Sequence, residues 1–150
     1  MTPNELRERI LSDHAQLRRA LADLEELSHA ALDRGATGRE ELRRAGEHFL
    51  FQLEEHMRHE DDQLVPLLRT IDAWGPERAH LVEEDHRAQR AQMRVYLDAL
   101  RRRDAPRAEL ADLLLEIASW LRRDMDDEEE VTLRPDVLRD DVVGIDVEAG

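Results

Sequence analysis

The chain has 150 residues, one domain's worth, enough to bury about two-thirds of the surface its unfolded form would expose. Its 36 acidic residues against 22 basic ones, all of them arginine, give a formal charge of -14 that repels a phosphate backbone and argues against a nucleic-acid partner. The absence of cysteine removes disulfides, thiolate catalysis and cysteine-ligated metal sites, and with only 3% aromatic residues the core has to be built mainly of leucine and alanine in helices.

The opening run MTPNELRERI carries charges where a signal peptide needs an apolar stretch. Nowhere do about 18 apolar residues follow one another, so the expectation is a cytoplasmic protein without a membrane span. The first helix is predicted from about Asn4 to Arg34, with Leu6, Ile10, Leu17, Leu21 and Leu24 on one stripe, and stops at GATG. The second begins near Arg39 with Thr37 as its cap, carries Leu42, Phe49, Leu53, Leu64 and Leu67, and ends in AWGPE. Gly75 is read as its stop and Pro76 as the start of a third helix that runs to Arg103. After RDAP, Pro106 opens a fourth helix with Leu110, Leu114, Ile117 and Leu121 inward, bounded by Pro135. Short connections between long helices make sequential neighbours antiparallel, so the expected fold is all-α, an up-down-up-down four-helix bundle over residues 1–135. An acidic tail, 136–150, follows; it lacks helical periodicity, shows weak strand alternation in VVGIDVEAG, and is either disordered or strapped across one end.

Polar residues interrupt every apolar stripe. His14 falls between Ile10 and Leu17, His56 and Glu60 between Leu53 and Leu64, His86 between Val82 and Met93, and Asp124 and Glu128 between Leu121 and Val131. At about 1.5 Å of rise per residue all six lie in one layer, roughly 10–20 Å from one end of the bundle. Helix axes about 8–10 Å apart let inward side chains from that layer converge. A buried carboxylate without a partner costs several kcal/mol, and three together also repel one another; a bound cation removes both penalties. Imidazole mixed with carboxylate suits iron, or manganese, and three of each can hold two divalent ions.

Plainer readings stand beside these. A lone histidine such as His14 or His86 is commonly a satisfied core residue, an i,i+4 pair such as His56 and Glu60 can be surface support, and DMDDEEE can be a solvated acidic run. Glu129 rivals Glu128 as the ligand from the last helix, and Glu83, one turn before His86, is a reserve ligand. His59 sits at the edge of its stripe, either beside the ligands or exposed, while His29, His48 and His80 are read as non-ligating. Tyr96 is either a wall of the cavity or ordinary core.

At these residues the chain resembles the hemerythrin-like, or HHE cation-binding, family. The likeness consists of His14 in LSDHAQLRRAL, the His-x-x-x-Glu of HMRHEDDQLVPLL, His86 in EEDHRAQRAQM and the closing DMDDEEEVTLRP, and it covers residues 5–135. It implies a four-helix bundle with a non-heme di-iron centre that binds or reacts with oxygen, peroxide or nitric oxide. Two positions depart from the family pattern: Asp124 stands where a histidine usually opens the last motif, and Val82 and Arg90 stand where oxygen carriers have a second histidine near His86. Fewer imidazoles and one more carboxylate make a harder, more anionic site that favours oxidised metal. Iron oxidation, peroxide turnover or metal holding are then expected over reversible oxygen carriage. The competing expectations are a bundle with a decayed, metal-free site that works through protein contacts, and a single-metal site. No glycine-rich phosphate loop or nucleophile constellation points elsewhere.

Overall fold

The computed structural model describes residues 1–35 and 37–141. In chain order the elements are α1 (Pro3–Arg34), α2 (Arg39–His59), a π-helical turn (Glu60–Leu64), α3 (Val65–Ile71), α4 (Gly75–Leu100) and α5 (Arg107–Val131). Because α2, the π turn and α3 continue into one another, the chain forms four rods, an antiparallel four-helix bundle with no strand among the described residues. α1 lies against α5 and α2, while α2 also touches α4 and α5. No helix among the described residues is long and apolar enough to cross a membrane.

Local chemistry sets the ends of the rods. Thr2 Oγ1 accepts the Glu5 N–H at 3.1 Å while Glu5 accepts the Thr2 N–H at 2.8 Å, a reciprocal cap completed by Pro3 in the first turn. Gly35 ends α1 at φ 62, a left-handed position that glycine adopts without steric cost. Three expected boundaries are corrected. The residue before α2 is Gly38, with no side-chain cap, because Thr37 is turned into the protein and buried. Gly75 is the first residue of α4 rather than a stop; its missing side chain lets the chain turn tightly, since a Cβ there would lie 1.7 Å from the Leu68 carbonyl oxygen. And α4 ends at Leu100, short of Arg103, where the chain turns to bury Ala105.

The π turn was not foreseen, and it changes which residues face inward. Val65 donates its N–H to the Glu60 carbonyl, five residues back, where an α-helix would reach back four. Pro66 follows at once; a proline inside a helix lacks an N–H and crowds the carbonyl four residues earlier, and the wider turn gives that carbonyl room. The extra residue shifts the inward stripe by one position. Leu67 is therefore only partly buried, and Leu68, not Leu67, is fully enclosed.

Two apolar clusters fill the bundle. The larger includes Leu17, Leu21, Leu53, Leu100, Leu114 and Leu121. The smaller, towards the other end, gathers Leu6, Ile10, Leu64, Leu68, Val82 and Leu133. Packing continues past Pro135, since Val137 and Leu138 are buried in the smaller cluster and the Asn4 N–H donates to Asp140 at 2.8 Å. The remainder of the acidic tail, 142–150, including its weak strand pattern, lies outside the described residues. Val131, expected to face inward, is 57% exposed: α5 ends there and Leu133 takes the buried place. Between the clusters, where close packing would favour more leucine, sits a polar layer.

Candidate metal centre

His14, His56, Glu60 and Glu128 each bring one ligand-type atom into a set whose members all lie within 4.8 Å of one another. Each of the four also has a buried side-chain atom with no hydrogen-bond partner: His14 Nε2, both ring nitrogens of His56, Glu60 Oε2 and Glu128 Oε1. Unpaired buried polar atoms are rare because each costs the desolvation free energy that a partner would return. One such atom from each residue belongs to a single close group. With Gln89, Asp124 and apolar neighbours the four residues surround a cavity of about 10 Å3, the space that roughly one water-sized sphere occupies. Two imidazole nitrogens and two carboxylate oxygens around such a space are a donor set that fits a divalent transition ion.

The remaining two expected residues stand differently. His86 Nε2 lies 3.2 Å from Glu60 Oε1, the same oxygen that is 3.2 Å from His56 Nε2, so Glu60 joins the rings of two rods. Asp124 lines the cavity but is held by the side-chain amide of Gln89, a residue the sequence reading did not single out.

Consecutive acids bracket two of the rings. Glu128 approaches His14 Nε2 at 3.7 Å, while Glu129 accepts from His14 Nδ1 at 2.9 Å. Adjacent residues point about 100° apart on a helix, so the two rival acids approach different nitrogens of the one ring. Likewise Glu60 faces His86 Nε2, and Asp61 accepts from His86 Nδ1 at 2.6 Å. An arginine then anchors each outer acid. Arg18 reaches Glu129 at 2.6 Å and Arg90 reaches Asp61 at 2.7 Å. Both arginines sit four residues after the histidine whose brace they hold. The sequence carried a signal for this, since Asp-His-x-x-x-Arg occurs twice, at Asp13–Arg18 and Asp85–Arg90. A carboxylate on one ring nitrogen fixes the orientation of the other, which is how ligating histidines are aimed.

Charges follow from this packing. Burial lowers the His14 pKa, outweighing Glu129, and leaves its ring neutral with a free lone pair. Burial also acts against charge on His86, but Glu60 and Asp61 outweigh it and raise its pKa. Burial and the charge of Glu60 push the Glu128 carboxyl well above the usual range. Glu60 itself, despite its burial, is held well below that range by Glu128 and the rings of His56 and His86. Of the two carboxyls, Glu128 is therefore the one whose surroundings favour the protonated form. For Asp124, burial raises the pKa, with Gln89 acting the other way.

Elsewhere the expectations are corrected or confined to the surface. Glu83 does not join the centre; it is ion-paired with Arg69 at 2.6 Å near the surface, because its position on α4 points outward. His29, His48, His59 and His80 are exposed. Tyr96 is absent from the cavity wall and packs edge-on to Trp120, ring centroids 5.3 Å apart, in the larger apolar cluster.

No curated protein and no solved structure matches the chain. The family model described as "Hemerythrin HHE cation binding domain" matches residues 5–134, a span that takes in all four rods and every residue of the polar layer. With its bundle and its His/Glu cluster, the chain belongs to the hemerythrin HHE family of metal-binding helical proteins.

Proposed function

We propose that the protein is a non-heme di-iron protein that binds or reacts with oxygen, peroxide or nitric oxide, in stress response, sensing or iron handling. One observation carries the metal reading: three buried residues and the partly buried Glu128, from three rods, turn unpartnered lone-pair atoms towards one small space. One ion would be held by His14, His56, Glu60 and Glu128, and a second by His86 with Glu60 shared and Asp124 released from Gln89. Iron supplies one-electron chemistry at such a set, and manganese takes the same donors. The carboxylate-rich ligand set supports oxidative or storage roles over reversible oxygen carriage.

A single-ion reading is favoured by two features. Among the described residues only four lie within the 4.8 Å set, and the Gln89 amide engages Asp124. Metal analysis after iron-replete expression separates these readings. About two irons per chain, with ferric absorption altered by peroxide or nitric oxide, is the expected result. One per chain selects the mononuclear site, and none sinks the metal reading in favour of a bundle that works through protein contacts.

A further inference from the structure

The three histidines of the centre are not held alike. His14 and His86 each give Nδ1 to a carboxylate, whereas neither nitrogen of His56 has a hydrogen-bond partner although the residue is only 8% exposed. Its Nε2 faces Glu60; its Nδ1 faces outward, 3.9 Å from Asp13 Oδ2. Asp13 and His56 help to line a groove of about 290 Å3 between α1 and α2, together with His48, Gln52, Glu55 and His59. Those last four recur at helical spacing along one stripe of α2. Among the described residues, no arginine lines this groove.

A second groove, of about 350 Å3 between α3 and α4, ends on His86. Its walls carry four arginines, Arg69, Arg87, Arg90 and Arg94, against two acids, Asp61 and Glu83, an excess of positive charge. Two approaches therefore reach two imidazoles of the same centre, and they differ in electrostatic sign. Like charge at a cleft mouth lowers the local concentration of a cation, and opposite charge raises it.

We infer that the groove between α1 and α2 is the route by which a divalent cation reaches the centre. In this route Asp13, Glu55 and His59 serve as transient outer ligands, and His56 passes the ion inward. The inference rests on the metal-centre reading above. A ligand that hands an ion from one side to the other has to reorient. His56 alone among the three rings has no carboxylate bonded to its Nδ1, so only its contact with Glu60 resists turning. Asp13 is near enough to share a cation with it and too far to pin the ring. Among the described residues Glu55 pairs with Arg58 alone, a surface contact that a competing cation displaces at little cost.

Loading of metal-free protein with Co2+, followed by its visible absorption in a stopped-flow instrument, tests the route. A channel is crossed in both directions, so the Asp13→Asn, His59→Gln double variant should load and release Co2+ about tenfold more slowly, with Kd and stoichiometry unchanged. Arg87→Gln, at the mouth of the other groove, should leave both rates as they are. Wild-type uptake rates in the double variant, or a Kd that weakens in step with the loading rate, would overturn the route while leaving the centre standing. A wild-type protein that takes up no Co2+ overturns the metal-centre reading and the route with it.

Discussion

The two bracketed histidines, His14 and His86, are built from the same parts and end in opposite states. Each lies one residue after an aspartate and four before an arginine, and each has neighbouring acids of another rod at its two nitrogens. Around His14 the inner acid, Glu128, stands back at 3.7 Å and Nε2 is left without a partner. Around His86 both acids close in, at 3.2 and 2.6 Å. Burial wins at His14 and lowers its pKa, while carboxylates win at His86 and raise it. His14 has one hydrogen-bonded acid and the His56 ring beside it, His86 has two hydrogen-bonded acids, and that difference sends the two pKa values in opposite directions.

The largest effect is expected where the two halves meet. Glu60→Gln removes the charge that both His56 and His86 face, so metal affinity should fall by more than the roughly 10–100-fold typical of losing a partner that orients a ligand. Isothermal titration against wild type reads this, and a loss under tenfold would deny Glu60 its central place. Next come the braces. Asp61→Ala and Glu129→Ala should each weaken metal binding by about 10–100-fold through a ring no longer aimed. Imidazole nitrogen shifts in the NMR spectrum should change at His86 for the first and at His14 for the second; a change at both rings in either variant would show that the halves are not separate.

A smaller effect concerns pH in the metal-free protein. The folded pKa of His86 is raised above its ordinary 6.5, so its contribution is complete below that value and is lost as pH rises through the folded pKa. His14 is lowered from 6.5, so its contribution is present above that value and is lost as pH falls through the folded pKa. His86→Gln should therefore flatten the decline of melting temperature on the alkaline side, and His14→Gln the decline on the acid side. Like responses from both would erase the contrast. The smallest effect is expected from Arg18→Lys and Arg90→Lys, which keep charge but lose the fork that reaches two acids. Both arginines are about a third exposed, so each variant should cost less than about 1 kcal/mol in chemical denaturation.

Most of the architecture was legible because it is written in periodicity. Leu6, Ile10, His14, Leu17, Leu21 and Leu24 recur at three- and four-residue steps, and all six are buried on α1. Histidines and a glutamate inserted into such stripes were readable as inward-facing for the same reason. What escaped is what periodicity does not encode. The shift from Leu67 to Leu68 arises from one added backbone residue in a turn, which leaves apolar spacing too short to distinguish. Gln89 was passed over because an amide is an unremarkable residue on a helix, and its bond to Asp124 exists only once α4 and α5 are side by side. Asp61 was missed differently, and Glu129 was weighed only as a rival ligand and not as a brace. Asp61 and Glu129 lie off the inward stripe, and their role depends on ring nitrogens of other rods.

The wide turn at Glu60 separates two jobs that a uniform helix would tie together. Up to its first residue the rod's inward positions carry His56 and Glu60; from its last residue on, Leu64 and Leu68 plug the bundle's end. A one-residue insertion is a whole-number event, gained or lost in a single mutational step, and excising it would rotate everything downstream by about 100°. Leu68 would leave the plug and the elbow against Gly75 would lose its seat, while the residues upstream kept their bearing. A substitution in the plug therefore acts through packing, whereas one ahead of the turn acts on the polar layer itself.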